Sequence, residues 1–96
     1  MKRLVVTQGG RLGMLRIVIG QRGWVWIGHL EADGDAVTLT NARCIRKWGT
    51  TKGLGELVGG PTAKTVLDPA GTVRLHALGI VATLDASEEG WKAALA

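Results

Sequence analysis

Ninety-six residues suit one domain and are too few for two, and with 46% hydrophobic residues the chain has the means to build a core rather than stay disordered. A single cysteine, Cys44, excludes an internal disulfide and a cysteine-based zinc site and points to a reducing compartment. No apolar run nears the ~20 residues of a membrane span, and the net charge of +4 favours an anionic partner.

The N-terminus, Met1-Lys2-Arg3-Leu4-Val5-Val6, opens like a secretory signal, but its apolar stretch stops at Thr7-Gln8-Gly9-Gly10, so a cytoplasmic protein is expected. Residues 4–7 read as a short strand and 8–13 as a glycine-rich turn. Met14–Ile19 reads as the next strand, with Leu15, Ile17 and Ile19 on one face and Arg16 and Val18 on the other. After the turn Gln21-Arg22-Gly23, residues 24–30 form a strand of bulky residues, with Trp24, Trp26 and Gly28 facing one way and Val25, Ile27 and His29 the other. Asp33-Gly34 between two apolar runs is a hairpin signal. It leads into a strand over residues 36–40 that continues towards Trp48, completing an antiparallel meander.

Residues 50–58 suit a short helix capped by Thr50 or Thr51, with Leu54, Leu57 and Val58 facing inward, and Gly59-Gly60-Pro61 ends it. Residues 61–71 read as a loop closed by the turn Asp68-Pro69-Ala70-Gly71. Val73–Leu84 reads as one further strand, with Gly79 allowing a bulge. Asp85 with Glu88 three residues on has the form of a helix start. The helix runs to the C-terminus and buries Trp91 and Leu95 against the sheet or a second copy. The fold class expected is therefore α+β: a small antiparallel meander of about 4–5 strands with a short middle helix and a C-terminal helix, in a single domain over 1–96.

Catalytic parts are hard to find. His29 and His76 are the only histidines, and neither has a second His, Asp or Glu at metal-ligand spacing on its own element. Glu88 and Glu89 are neighbours on a helix and point to different faces. Gly53-Leu54-Gly55 and Gly9-Gly10-Arg11-Leu12-Gly13 lack the endings of a phosphate-binding loop. A lone Cys44 on an apolar strand reads as a small buried hydrophobe. The expectation is a binder, with no enzymatic activity, no metal and no cofactor.

Charge is segregated. Residues 1–30 hold Lys2, Arg3, Arg11, Arg16 and Arg22 without one acid, while acids gather at Glu31–Asp35 and Asp85–Glu89. One stretch concentrates nucleotide-compatible groups: Asn41, Arg43, Arg46, Lys47, Trp48, Thr50 and Thr51. Phosphates want guanidinium forks and hydroxyls; bases want a flat aromatic to stack on and an amide for their edges. Arg22 and Trp26 extend the set. The competing reading has Trp48 plugging the core while Arg43 and Arg46 lie along its rim.

The order Met14-Leu15-Arg16-Ile17-Val18-Ile19, then Trp26-Ile27-Gly28-x-Leu30, then Gly34-x-x-Val37-x-Leu39-x-Asn41-Ala42-Arg43-x-Ile45-x-x-Trp48 resembles a family of small phage proteins, over roughly residues 14–60. That family in turn resembles the anti-defence sponge proteins with which phages capture nucleotide immune signals of Thoeris and cyclic-oligonucleotide (CBASS) defence. The resemblance implies a homo-oligomer whose ligand sites lie between protomers, with a nucleotide second messenger as partner, in the host cell cytoplasm. It also implies that residues 1–13 are an N-terminal extension, since such proteins tend to begin at Met14. The chain departs from the pattern in its short loop Gln21-Arg22-Gly23 and in having Arg46 or Lys47 where a second aromatic usually stands. The expected function is sequestration of a cyclic oligonucleotide or a cyclic ADP-ribose-type signal without cleavage. The alternatives are a basic β-domain that binds single-stranded nucleic acid and a phage protein-interaction module.

Overall fold

The computed structural model describes residues 13–96; the expected strand over 4–7 and most of the glycine-rich turn lie outside them. Five antiparallel strands form one sheet in the order β4-β3-β2-β1-β5: β1 (Met14–Gly20), β2 (Val25–Asp33), β3 (Ala36–Lys47), β4 (Val66–His76) and β5 (Ile80–Asp85). The meander β1-β2-β3 follows the alternation of the sequence. Ile17 pairs with Ile27 and Val18 with Trp26, so the odd-numbered residues of β1 and β2 share one face. Asp33 pairs with Ala36, which makes Gly34-Asp35 the two-residue turn, and Gly34 takes the positive φ of 63° that a tight hairpin asks of a glycine.

Halfway along β3 the register slips. His29 pairs with Thr40 but Ile27 pairs with Arg43, so two residues of β3, Asn41 and Ala42, lie opposite one of β2, Gly28. Asn41, in the left-handed region at φ 51°, sits at this bulge. It moves the chain from one alternation to the other, so Val37, Leu39 and Ala42 serve one face of the sheet while Arg43 and Ile45 serve the other.

Both faces are apolar, for different reasons. His76 ends β4 and Ile80 begins β5, and four residues reach at most about 14 Å. In a flat sheet these edge strands would stand about 19 Å apart. The sheet therefore curls until its edges approach, and the concave side encloses Val18, Leu39 and Ala42, with Trp26, Leu30, Val73, Leu75 and Ile80 around them. The link between the edges is a 3-10 turn, Ala77–Gly79, tied down by the Ala77 N–H donating to the Asp35 carbonyl (2.8 Å). Val73–Leu84 is thus two strands with a turn between them, and Gly79 lies in the turn rather than in a bulge.

The convex side carries Leu15, Ile17, Val25, Ile27 and Ile45 and is covered by Leu57, Trp91 and Leu95. Leu57 comes from a 3-10 turn, Leu54–Gly59, where a short helix is expected; Val58 is exposed rather than inward. Neither threonine hydroxyl caps the turn. The Glu56 carboxylate reaches back and accepts the Thr51 and Lys52 N–H groups (3.1 and 3.0 Å). Trp91 lies in α1 (Glu88–Trp91), one turn long and capped by the Ser87 hydroxyl rather than by Asp85, which belongs to β5. Trp91 is fully buried and its Nε1 donates to the Leu57 carbonyl (2.8 Å), so it and Leu95 serve this chain's own core and are not left over for a second copy. Gly90 lets the two covering segments touch: a Cβ there would lie 1.9 Å from the Gly59 oxygen.

Residues 66–71, expected in a loop, begin β4 instead. Pro69 is tolerated because β4 is an edge strand, and three register shifts against β3 mark the Pro69–Gly71 stretch and the strand's start. Among the described residues no helix is long and apolar enough to cross a membrane.

Candidate functional site

Three strand ends meet where β1 turns into β2, β3 finishes and β4 starts. Arg22 and Gly23 come from the 3-10 turn after β1, Trp24 from the residue that joins this turn to β2, Val25 from the start of β2, Cys44 and Arg46 from β3, and Asp68 from β4. Together with Ile45 they line an open cleft of about 470 Å³.

Trp24 and Trp26, two residues apart in extended backbone, point the same way and stack with ring centroids 5.7 Å apart and planes within 8°. Trp26 backs onto Gly20, with its ring 3.1 Å from where a Cβ would stand, and is half-buried. Trp24 lies outside it and is 56% exposed. A half-buried indole thus braces an exposed one, which presents its free face to solvent. Beside it Arg22 holds φ 63° and ψ 23°, a left-handed conformation that costs a non-glycine residue roughly 1–2 kcal/mol. Its side chain is exposed at the cleft.

Arg46 donates from Nε to Asp68 Oδ2 (2.7 Å), a pairing that raises its already high pKa, and the guanidinium stays exposed. Cys44, opposite Trp26, has its thiol pKa raised, first by burial and then by the Asp68 carboxylate, so the thiol form is held at neutral pH. Asp68 is the acid of the cleft, and it is engaged with Arg46. The other end of the sheet, at the β2–β3 turn, carries Glu31, Asp33 and Asp35. The molecule is therefore polar in charge from end to end.

The residues singled out from the sequence divide between two places. Arg22, Trp26 and Arg46 belong to the cleft or its wall. Lys47 closes β3 and is exposed. Trp48 follows it and is 41% exposed, so it is not a core plug. Its carbonyl accepts from the Thr65 hydroxyl (2.7 Å), and the Gly49 carbonyl accepts from Thr62 (2.6 Å). Thr50 is half-buried, and Thr51 lies in the turn whose N–H groups Glu56 gathers. Asn41 and Arg43 lie on the convex side of β3, away from the cleft. Arg43 Nη1 donates to the Asn41 carbonyl and to its Oδ1 (3.1 and 2.8 Å), and Asn41 Nδ2 donates to the Leu95 carbonyl (3.0 Å). The pair fixes the bulge and ties down the C-terminal turn beside His29, whose Nε2 lies 3.1 Å from Glu88 Oε1.

Sequence reasoning missed Trp24 and Asp68 as site residues. The i, i+2 spacing of Trp24 and Trp26 was the available signal for the first. Asp68 had none, because its partnership with Arg46 depends on residues 66–71 being strand. The chain matches no protein-family model, no curated protein and no solved structure.

Proposed function

We propose that the protein binds a nucleotide ligand without converting it, with a base stacked on the free face of Trp24 and its phosphate taken by Arg22 and Arg46. The observation that carries this reading is the braced Trp24–Trp26 stack beside two exposed guanidinium groups. An indole held in place by a second indole loses little freedom when a base stacks on it, which is what a stacking platform needs. The resemblance to anti-defence sponges supports a nucleotide immune signal of cyclic oligonucleotide or cyclic ADP-ribose type as the ligand, with the act of binding as the whole function.

A specific observation keeps a second reading in play. The cleft is shallow and open, and Lys47 and the exposed Trp48 lie just beyond it along β3, an arrangement that also suits a single strand of nucleic acid passing across the end of the sheet.

One titration decides between them. The purified protein is mixed with a panel of cyclic dinucleotides, cyclic trinucleotides and ADP-ribose isomers, and separately with short single-stranded oligonucleotides, over a range of salt. Sequestration predicts saturable quenching of tryptophan fluorescence by one panel member, a fixed stoichiometry, and recovery of the intact compound after heat denaturation. Strand binding predicts oligonucleotide affinity that falls steeply with log salt, with no preference in the panel. Binding of neither class overturns both readings.

A further inference from the structure

The two edges of the sheet are finished differently. β4 is guarded as edge strands commonly are: Pro69 removes a donor, Gly71 turns through φ 68°, three register shifts break its flatness, and Arg74 and His76 add polar side chains. β5 has a single register shift, at Val81, and none of the other devices. It reads Ile80-Val81-Ala82-Thr83-Leu84 without a charge, proline or glycine before Asp85, and Val81, Ala82 and Thr83 are exposed, Val81 at 67%.

Its free backbone groups can be located. The Ala86 N–H donates to the Leu15 carbonyl, which makes 15 and 86 a hydrogen-bonded pair. Alternation then directs the N–H and C=O of Leu84 and Ala82 to β1, and those of Thr83 and Asp85 away from the sheet. No strand among the described residues takes up this outer edge.

We propose that a second copy of the chain does so, with β5 pairing antiparallel to β5 about a twofold axis at Thr83. Such an interface is self-complementary, since Thr83 of one copy meets Thr83 of the other and each Val81 lies opposite an Asp85. Charge fits only this direction. β5 starts at Ile80, opposite Gly20 and so close to the exposed Arg22, and ends at Asp85, shortly before the exposed Glu88 and Glu89. Antiparallel pairing brings the basic end of each copy beside the acidic end of the other, whereas parallel pairing would set like against like. The result is a continuous ten-stranded sheet, twice the five of one chain, with the two Trp24 clefts at opposite ends.

The test is light scattering on the full chain from low micromolar to near-millimolar concentration. The expected mass rises from one to two times 10.1 kDa, and the transition moves to higher protein concentration as salt is added. Thr83→Pro deletes a donor that β1 does not use, so the variant keeps its circular dichroism spectrum and stays at the one-chain mass throughout. Val81→Asp gives the same result by setting a like charge opposite Asp85 of the other copy, and decides the matter if the proline variant fails to fold. A one-chain mass for the unaltered protein at every concentration overturns the proposal, as does a folded Thr83→Pro or Val81→Asp that still dimerises. So does a Thr83 amide protected from hydrogen exchange in the dilute monomer, which would mean that another segment of the same chain covers the edge.

Discussion

Trp24 and Arg22 are where function and stability part company. Trp24→Ala removes an exposed ring and leaves the fold intact, while binding of a stacked base weakens by about 1–3 kcal/mol, read as lost fluorescence quenching. Arg22→Gly relieves the positive φ and raises the melting temperature, with a gain of about 1 kcal/mol, yet it weakens a phosphate-bearing ligand. A variant that is both more stable and equally tight would remove Arg22 from the site. Asp68→Asn tests the neighbouring pair. It takes away the carboxylate that competes for Arg46 and that helps hold the Cys44 thiol, so an anionic ligand binds more tightly and Cys44 alkylates faster at a given pH. The sign follows from the direction of the shift: a raised thiol pKa means that the folded state keeps its proton longer, so this contribution to stability is complete at low pH and is lost as pH rises through the alkaline range. Arg43→Ala behaves otherwise. Its guanidinium holds Asn41, so the variant loses roughly 0.5–1.5 kcal/mol of stability for each bond broken, read from the denaturant midpoint, and binds ligand as before.

At the scale of elements, the C-terminal turn owes its place to three contacts rather than to its own helicity. α1 has four residues, far too few to form alone, and it is held by Trp91 under Leu57, by Asn41 on the Leu95 carbonyl and by the Gly59–Gly90 contact. Trp91→Phe keeps a ring but loses one of the two hydrogen bonds to the Leu57 carbonyl, which the Gly60 N–H also serves, a loss of about 0.5–1.5 kcal/mol, while Trp91→Ala costs about 3–5 kcal/mol and leaves little of the fold in a melting experiment. The strands of the meander were legible because their alternation is local: Leu15, Ile17, Val25 and Ile27 declare their faces within a few residues. The bulge at Asn41 was not, since a one-residue slip leaves no mark on the chain beyond an asparagine that tolerates the left-handed region. β4 was hidden by Asp68-Pro69-Ala70-Gly71, a good turn sequence that an edge strand accommodates. The cleft was legible in part. Arg46 and Arg22 stand out by type, whereas the convergence of Trp24 with Arg46 rests on the β2–β3 register, and the separation of Arg43 from Arg46 on which side of β3 each occupies.

The whole molecule is one curled sheet whose first described strand has partners of very different sequence distance. β2 reaches β1 across the short turn after Gly20, but the Arg16–Asp85 contact spans 69 positions. Closing so long a loop before any contact rewards it slows folding, towards the millisecond-to-second range of small β-barrels. The order of events follows: the β1–β2–β3 hairpins form first, and β5 docks last, drawn in by the short Ala77–Gly79 link once β4 is in place. In refolding with pulsed hydrogen exchange, amides of β1 that face β2 gain protection before those of Ala82 and Leu84. Until that last strand arrives, β1 presents its own outer edge to solvent, and crowding during refolding would favour exchange of β5 between chains, so yield should fall as refolding concentration rises.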